Sequence, residues 1–395
     1  MRAPLIIAAV LAVSLAACTP EPLEFPDWTI SVPEGTRIIE YAAVPMEERT
    51  ERIELVEDLV IGERDNDPNY IFYNPAAVAV DSDRQIFVLD AGNHRVQVFD
   101  WEGRYLRTLG TEGHGPGELA GPTGIAVAGD HLIIGDIEHQ RYSVWALGGS
   151  LIGDHQVSVT SAPYEFVGLG DGTVIGTTTL YDEPTTDDDF RLRHQIGIFT
   201  QEGLEVVGIQ EFPGFSYPLI RRSEPPSDLL LYISIRMPVP EASFGTTPEG
   251  DIYASSCAEY QVHAYDRTGK MRWALRTPWE RQALADEEIE RAMTRVRLQI
   301  EDASRSEVDW PELYPALSHV AVDGHGHVYV FLQPGEVDAA DFPVDVYSAT
   351  GERLFSGWTP RMKWQVARGD FVFGLETDEA SGEERLVRYR LVEPF

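Results

Sequence analysis

The sequence predicts an all-β fold, a six-bladed β-propeller closed around a central channel. Short runs of β-branched and aromatic residues alternate with Gly/Asp/Asn turns, which is typical of antiparallel strands. The turn before the second strand of a blade recurs six times, and these strands begin at residues 86, 132, 174, 252, 328 and 371. The intervals between them are 46, 42, 78, 76 and 43 residues. Three intervals fit a four-stranded blade of roughly 40–50 residues, and the other two leave about thirty residues each for an insertion.

Composition supports a large folded protein and excludes one class of partner. The 395 residues are 43% hydrophobic, which is enough to build a core and excludes a disordered chain. Acidic residues outnumber basic ones by 65 to 31, giving a formal charge of −34. Nucleic acids need a basic footprint, so we expect no nucleic-acid partner. The length leaves open two domains joined by the proline-rich stretch 215–240, but the turn pattern continues in phase on both sides of it.

Residues 1–17 have the features of an export signal rather than of a folded segment. The apolar run at 5–15 is too short to span a bilayer, but it suits the core of a signal peptide. It ends in a Leu-Ala-Ala-Cys sequence at 15–18, which resembles a bacterial lipobox. The resemblance implies cleavage before Cys18, acylation of its sulfur and membrane attachment through the acyl chains. The alternative is an ordinary signal peptide with an incidental cysteine.

The predicted regions are a leader at 1–17, a lipidated tether and N-terminal segment at 18–50, and the propeller at 51–395. In a Gram-negative cell, Thr19 in place of aspartate favours sorting of a lipoprotein to the outer membrane. The only cysteine besides Cys18 is Cys257, so we expect no disulfide framework. The last blade shows only three strands of its own, and a β-rich run at 52–61 precedes the first complete blade. We expect this early run to supply the missing outer strand and to close the ring.

The blade at residues 74–109 carries the clearest repeat. Three β-rich runs are joined by Gly/Asp turns, and the segment Asp90-Ala-Gly-Asn93-His94-Arg95 joins the second run to the third. A Gly-Pro-Gly segment at 115–117 then leads into the next blade. This unit resembles an NHL repeat. The chain from Cys18 onward resembles an uncharacterised bacterial family of NHL-repeat-like six-bladed β-propeller lipoproteins, which implies a binding or scaffolding module at the cell envelope.

The two insertions are predicted at about 210–240 and 277–315. The first is rich in proline and aromatic residues and is typical of a long functional or crossover loop. In the second, apolar residues recur at helical spacing and predict an amphipathic helix over about 286–303, between blades 4 and 5. Thr277-Pro-Trp-Glu280 ahead of it fits a capping box. The apolar face of the helix packs on the propeller, covers the channel mouth or binds a partner.

Candidate ligand-binding residues lie in the turns that join second and third strands, because these turns surround one end of the channel of a propeller. Aligning the blades on the third strand places Arg95, Arg141 and Arg385 at one equivalent position. Gln195 and Gln261 take that position in two other blades, and Tyr260 precedes Gln261. A ring of guanidinium groups would suit an anionic or peptide carboxylate ligand. The alternative is that these polar groups tie each turn together.

Metal ligands are the second candidate. The histidines His94, His139 and His194 fall in the same turns of three consecutive blades, and zinc binds three such ligands with an open position. The aspartates at 187–189 could bind calcium, but a solvated loop is the simpler interpretation. His325 and His327 lie in a turn on the opposite face and are interpreted as surface residues. We predict no cofactor, with calcium or zinc as the open alternative.

Taken together, the sequence favours a lipid-anchored propeller that binds an unknown protein or a small anionic or peptide ligand and acts as a monomer. The alternative is a metal-dependent lactonase- or esterase-like hydrolase, or an amidating-lyase-like enzyme, that uses calcium or zinc in the channel. No Gly-x-Ser-x-Gly nucleophile motif, Walker loop or metalloprotease helix is present. The sequence therefore predicts no catalytic residue.

Overall fold

Six sheets, built mainly of antiparallel strands, surround a common axis as the blades of a β-propeller in the computed structural model of the chain. The structure describes residues 32–62, 66–156, 165–181, 192–199, 207–213, 219–224, 227–232, 242–299, 304–305, 310, 312–335, 339–378 and 381–395. The predicted leader and Cys18 lie outside these residues. Within them, no helix has the length and hydrophobicity needed to cross a membrane.

The described strands follow one another in short, regular units. In chain order they are β1 (Arg37–Glu40), β2 (Glu54–Ile61), β3 (Pro75–Val80), β4 (Ile86–Asp90), β5 (Arg95–Phe99), β6 (Tyr105–Leu109), β7 (Pro122–Ala128), β8 (His131–Asp136), β9 (Arg141–Ala146), β10 (Leu151–Gln156), β11 (Glu165–Gly168), β12 (Val174–Tyr181), β13 (Leu192–Phe199), β14 (Val207–Pro213), β15 (Leu219–Glu224), β16 (Ser227–Tyr232), β17 (Ser243–Thr246), β18 (Ile252–Ser255), β19 (Gln261–Tyr265), β20 (Met271–Arg276), β21 (Leu317–Val322), β22 (Val328–Leu332), β23 (Asp341–Tyr347), β24 (Arg353–Pro360), β25 (Trp364–Arg368), β26 (Phe371–Thr377) and β27 (Glu384–Val392). The α-helix α1 (Asp286–Gln299) separates β20 from β21.

The turn spacing located the blades correctly. The second strands β4, β12, β18, β22 and β26 begin at the predicted residues 86, 174, 252, 328 and 371, and β8 begins at 131 instead of 132. Each of these strands pairs with an antiparallel neighbour on both sides within its blade. The spacing worked because every blade needs the same tight turn between its first two strands.

The ring closes through β2, which pairs antiparallel with β27 and completes the blade formed by β25, β26 and β27. We number this closing blade as blade 1, since β2 opens it. Blades 2 to 6 are then β3–β6, β7–β10, β11–β14, β17–β20 and β21–β24. The structure therefore confirms the prediction that the run at 52–61 closes the ring.

The helix α1 lies between blades 5 and 6, and the predicted position between blades 4 and 5 was wrong. The sequence-based count began at the first complete blade and so numbered the closing blade, which β2 opens, as the last blade instead of the first. Of the predicted apolar stripe, Ile289, Met293 and Val296 are buried, as an amphipathic helix requires. Residues 300–303 lie outside the described part.

The capping-box interpretation of residues 277–280 was also wrong, because the helix starts at Asp286. The Thr277 amide donates instead to the Tyr260 carbonyl (3.1 Å), so this segment continues along blade 5 before the helix begins. The first turn of α1 carries Asp286, Glu287 and Glu288, whose charges suit the positive end of the helix dipole.

The N-terminal segment belongs to the propeller earlier than the predicted boundary at residue 51. Strand β1 pairs in parallel with β20 and adds a fifth strand to blade 5. Arg49 and Ile53 are buried at 4% and 0% exposure. The predicted insertion at 210–240 contains the two-stranded hairpin of β15 and β16, which is a sheet of its own.

Inner strands of neighbouring blades pack directly against each other around the axis. A Cβ at Gly168 in β11 would lie 2.0 Å from the Val127 carbonyl oxygen in β7. On blade 6, a Cβ at Gly324 would lie 2.3 Å from the Gly369 amide nitrogen of the adjoining closing blade. Glycine is therefore required where two backbones meet. Between blades, buried aliphatic and aromatic side chains form the core, as in the cluster that joins Ile61 to Phe99 and Phe373.

Candidate functional site

The two ends of the channel carry different turns. At the upper face, turns between second and third strands meet the segments that connect successive blades, as where the Gly92 amide donates to the Tyr73 carbonyl (2.8 Å). At the lower face, turns between first and second strands of neighbouring blades meet, as where the Gly129 amide donates to the Leu169 carbonyl (2.8 Å). The predicted ligand-binding residues Arg95, Arg141, Arg385, Tyr260 and Gln261 lie at the upper face.

Arg95 and Arg141 occupy equivalent positions, each at the start of a third strand and opposite an aspartate of the second strand. The Arg95 Nε lies 2.8 Å from Asp90 Oδ2, and its Nη2 donates to the Ile71 carbonyl (2.9 Å). Likewise, Arg141 Nη2 donates to the Gly115 carbonyl (2.8 Å). Both guanidinium groups thus connect a turn to the segment that enters from the preceding blade.

Arg385 lies at the corresponding position in the closing blade, opposite Glu376. Its Nη1 lies 3.0 Å from Asp378 Oδ2, and its Nη2 lies 3.6 Å from Glu376 Oε2. The three arginines are therefore at one register position, and each bonds to groups close to its own turn. Such contacts stabilise the turns, as the structural alternative for these residues requires. A ring of guanidinium groups around an anionic ligand stays a prediction.

The aspartate partner in blade 3 is held in its charged form by the backbone. Asp136 accepts the amides of Ala120 (2.8 Å), Gly121 (3.1 Å) and His139 (3.0 Å). Burial by itself raises the pKa of this carboxyl, but the three amide donors outweigh burial and hold the pKa below its usual value. The carboxylate therefore fixes the upper turn to the connection between blades.

Tyr260 and Gln261 are placed differently from each other. Gln261 begins β19, and its Nε2 donates to Glu259 Oε2 (3.1 Å) at the exposed edge. Tyr260 is only 2% exposed, and its hydroxyl bonds to the Asp345 carboxylate and to the Tyr347 hydroxyl (2.7 Å). Burial, together with the charge of Asp345 and the neighbouring Tyr347, raises the pKa of Tyr260 well above its usual value. A ligand could reach this phenol only if the buried network opened.

The predicted zinc histidines are not gathered in the described residues. His139 Nε2 instead lies 2.9 Å from Nδ1 of His114, and its own Nδ1 lies 3.0 Å from Asp136 Oδ2. His94 ends the turn of blade 2 in the left-handed conformation, at φ 52°. The side chain of His194 and the residues 187–189 lie outside the described part. Zinc or calcium at this end of the channel stays an open alternative.

One group of potential metal ligands was missed by the sequence analysis. Among the described residues, Asp323, His327 and Glu393 form the one set of three such side chains whose ligand atoms lie within 4.8 Å of one another. It lies at the lower face, where His327 was interpreted as a surface residue. The spacing of Asp323 and His327, four residues apart in one turn, is a signal that could have indicated two of the three ligands. Glu393 follows a different blade, so only the fold brings it next to them.

A cleft of about 1110 Å³ opens at the upper face between blades 1 and 2. Its lining residues are Gly62, Asn66, Ile71, Phe72, Tyr73, Asn74, Thr377, Gly382, Glu383 and Glu384. The predicted site residue Arg95 and its partner Asp90 hold one wall of this cleft in place. The Tyr73 amide donates to Asp90 Oδ1 (2.7 Å), and Arg95 holds the Ile71 carbonyl. On the opposite wall, the Glu384 carboxylate accepts the Asn74 amide.

Comparison with known proteins decides the nature of the blade beside this cleft, because residues 72–99 match the sequence model of the NHL repeat. Residues 72–99 are an NHL repeat. The NHL repeat spans β3, β4 and β5 and contains Asp90 and Arg95. Protein brain tumor of Drosophila melanogaster is 38% identical over 65 residues, which are 16% of this chain and 6% of that protein.

Two solved structures align with most of the chain. A member of the DUF4221 family from Bacteroides vulgatus is 13% identical and covers 86% of this chain and 98% of its own, with a TM-score of 0.51. A gluconolactonase from Xanthomonas campestris is 12% identical and covers 80% of this chain and 85% of its own, with a TM-score of 0.38. At these identities the likeness to the first structure shows the fold alone, and the second carries no argument about activity.

Proposed function

We propose that the protein is a lipid-anchored binding module of the cell envelope that acts as a monomer. Its ligand is an extended peptide segment, free or part of a protein, that presents a basic side chain to the cleft at the upper face. The observation that carries this proposal is the lining of the cleft. Tyr73 and Ile71 stand 66% and 49% exposed at one wall, and the exposed carboxylate of Glu383 stands at the other.

The apolar wall supplies contact area for such a ligand. Tyrosine offers a large ring and a polar hydroxyl with few rotatable bonds, so its ordering costs little on binding. The backbone beneath Tyr73 and Ile71 is already fixed by Asp90 and Arg95 of the NHL repeat. A wall held in place before binding keeps more of the contact energy as affinity.

The charge of the cleft selects a cationic partner. The residues that line it include Glu383 and Glu384 and no arginine or lysine, within the described part of the chain. The whole protein has a formal charge of −34. A positive side chain is therefore drawn towards this surface, whereas an anionic ligand is repelled.

Membrane attachment through Cys18 explains how so acidic a protein stays at a membrane. Anionic lipid repels its surface, and two or three acyl chains provide the firm attachment that one chain does not. Cys18→Ser should therefore move the protein from the membrane fraction to the soluble fraction of the envelope. Cell fractionation with intact-mass analysis of the wild type measures this. A wild-type protein without added acyl mass, or a Cys18→Ser variant that stays with the membrane, would show that the anchor is wrong.

Binding in the cleft can be tested with random 12-residue peptides displayed on phage. We expect selected peptides to carry Arg or Lys and to bind the purified full chain. By titration calorimetry, Tyr73→Ala should weaken such a peptide about tenfold, and Glu383→Gln should weaken it less and remove part of the salt dependence. The control is Ile152→Ala, which removes a 55% exposed apolar side chain from the outer strand of blade 3.

Two outcomes would contradict the proposal. One is that the selection yields no peptide enriched over a selection against Tyr73→Ala. The other is that enriched peptides bind Tyr73→Ala and the wild type equally well, which would place the binding surface elsewhere on the propeller. The control variant should bind like the wild type in either case.

A further inference from the structure

Three side chains from two blades converge at the lower face, at the end of the channel opposite the cleft. Asp323 and His327 belong to the turn between β21 and β22 of blade 6, and Glu393 follows β27 of the closing blade. The His327 Nδ1 lies 2.9 Å from Asp323 Oδ2 and 3.4 Å from Glu393 Oε1. All three ligand atoms lie within 4.8 Å of one another.

These side chains are held in place by the residues around them. The second oxygen of Asp323, Oδ1, accepts the amides of His325 and His327, both at 2.8 Å, which turns Oδ2 towards the imidazole. The carboxylate of Glu393 accepts the hydroxyl of the fully buried Tyr329. Such outer hydrogen bonds fix the orientation of metal ligands in known sites.

The charge of this group is unbalanced. The Asp323 side chain is 1% exposed and that of Glu393 is 18% exposed. Within the described residues, neither carboxylate forms a salt bridge with an arginine or lysine, and His327 is their shared partner. One N–H of an imidazole cannot donate a full hydrogen bond to both oxygens at once. Buried carboxylates in proteins are paired with a cation or coordinate a metal, so this group is suited to holding a cation.

We propose that Asp323, His327 and Glu393 bind a divalent transition metal, of which Zn²⁺ fits best. Zinc takes imidazole nitrogen and carboxylate oxygen at about 2.0–2.2 Å with tetrahedral angles, which separates its donor atoms by roughly 3.3 Å. The two separations from His327 Nδ1, 2.9 and 3.4 Å, bracket that value. His327 is 29% exposed, so solvent can supply the fourth ligand.

The position of the site gives the metal a structural role. Glu393 follows the strand that pairs with β2 and closes the ring, and Asp323 and His327 belong to the adjoining blade 6. The chain end already lies against blade 6, since the ring of Phe395 stacks on that of Phe355 at 5.4 Å. The bound metal therefore ties the end of the closing blade to its neighbour and stabilises the closed ring.

The test uses the tag-free full chain, stripped with a chelator and titrated with ZnCl₂ by calorimetry and in thermal melts. We expect one saturable site, and a rise in Tm of roughly 3–5 °C at a hundredfold excess over Kd. His327→Ala and Glu393→Gln should each abolish the zinc-dependent rise, whatever they do to the Tm without metal. His139→Ala is the matched control, since it removes a histidine that pairs with His114 at the upper face, and it should retain the full rise.

Three outcomes would overturn the proposal. They are the absence of saturable zinc binding to the wild type, an unchanged zinc-dependent rise in both His327→Ala and Glu393→Gln, and loss of the rise in His139→Ala alone. The last result would place the metal among the upper-face histidines instead. Peptide binding to the cleft is measured separately, so these outcomes leave the proposed binding function to its own test.

Discussion

Arg49→Met should lower the free energy of unfolding by about 3–5 kcal/mol, because it leaves the buried Asp345 carboxylate without its cation. Arg49 Nη1 lies 2.8 Å from Asp345 Oδ1, and the two side chains are 0% and 1% exposed. The other oxygen of Asp345 accepts the Tyr260 hydroxyl. The N-terminal segment is thus tied to blade 6 by an ion pair that solvent does not reach, and urea denaturation of the full chain measures its loss.

A second ion pair three residues further along provides the control. Arg52 Nη1 donates to Asp341 Oδ2 at 2.6 Å, but these side chains are 49% and 27% exposed. Arg52→Met should therefore cost about 1 kcal/mol or less, since exposed pairs are screened by solvent. Adding Asp345→Asn to Arg49→Met should recover stability, because the uncompensated charge is then gone. Equal losses for Arg49→Met and Arg52→Met would show that burial of the first pair does not decide its contribution.

Removal of residues 1–61 should destabilise the propeller by about 5 kcal/mol or more, since it opens the ring at the closing blade. The deletion removes Arg49, the fully buried Ile53 and the whole of β2, including Ile61 at 2% exposure. It also exposes the edge of β27 that β2 covers. A chain that begins at residue 32 keeps β1 and β2 and should melt like the full chain. Equal melting temperatures for the two deletions would contradict closure by β2.

Point substitutions test the same strand if the shortened chain does not fold. Ile61→Ala should cost about 2–4 kcal/mol, because Ile61 packs with Phe373 and Leu386 of the closing blade and with Phe99 of blade 2. Val56→Ala, in the same strand but at 39% exposure, should cost well under 1 kcal/mol. Similar losses at both positions would show that β2 is not packed as described.

Much of the fold could be predicted because the signals that build a blade are local. The second strands that begin at 86, 174, 252, 328 and 371 each follow a turn that the sequence shows directly. The equivalence of Arg95, Arg141 and Arg385 also followed from register, since each lies opposite an acidic residue of the second strand. The capping-box interpretation at Thr277 failed because its amide is used by the Tyr260 carbonyl, a contact that no local pattern shows.

The sequence by itself determined the blade repeat, the starts of most second strands, the closure of the ring and the NHL character of the blade at 74–109. Only the tertiary structure decided the lining of the cleft, the burial of Tyr260, and the pairing of Arg49 with Asp345, which lie 296 residues apart. It alone also brought Glu393 to Asp323 and His327. The physical reason is that strand and turn formation depends on neighbouring residues. Contacts between blades depend instead on how separately formed sheets dock around the axis, which no residue spacing records.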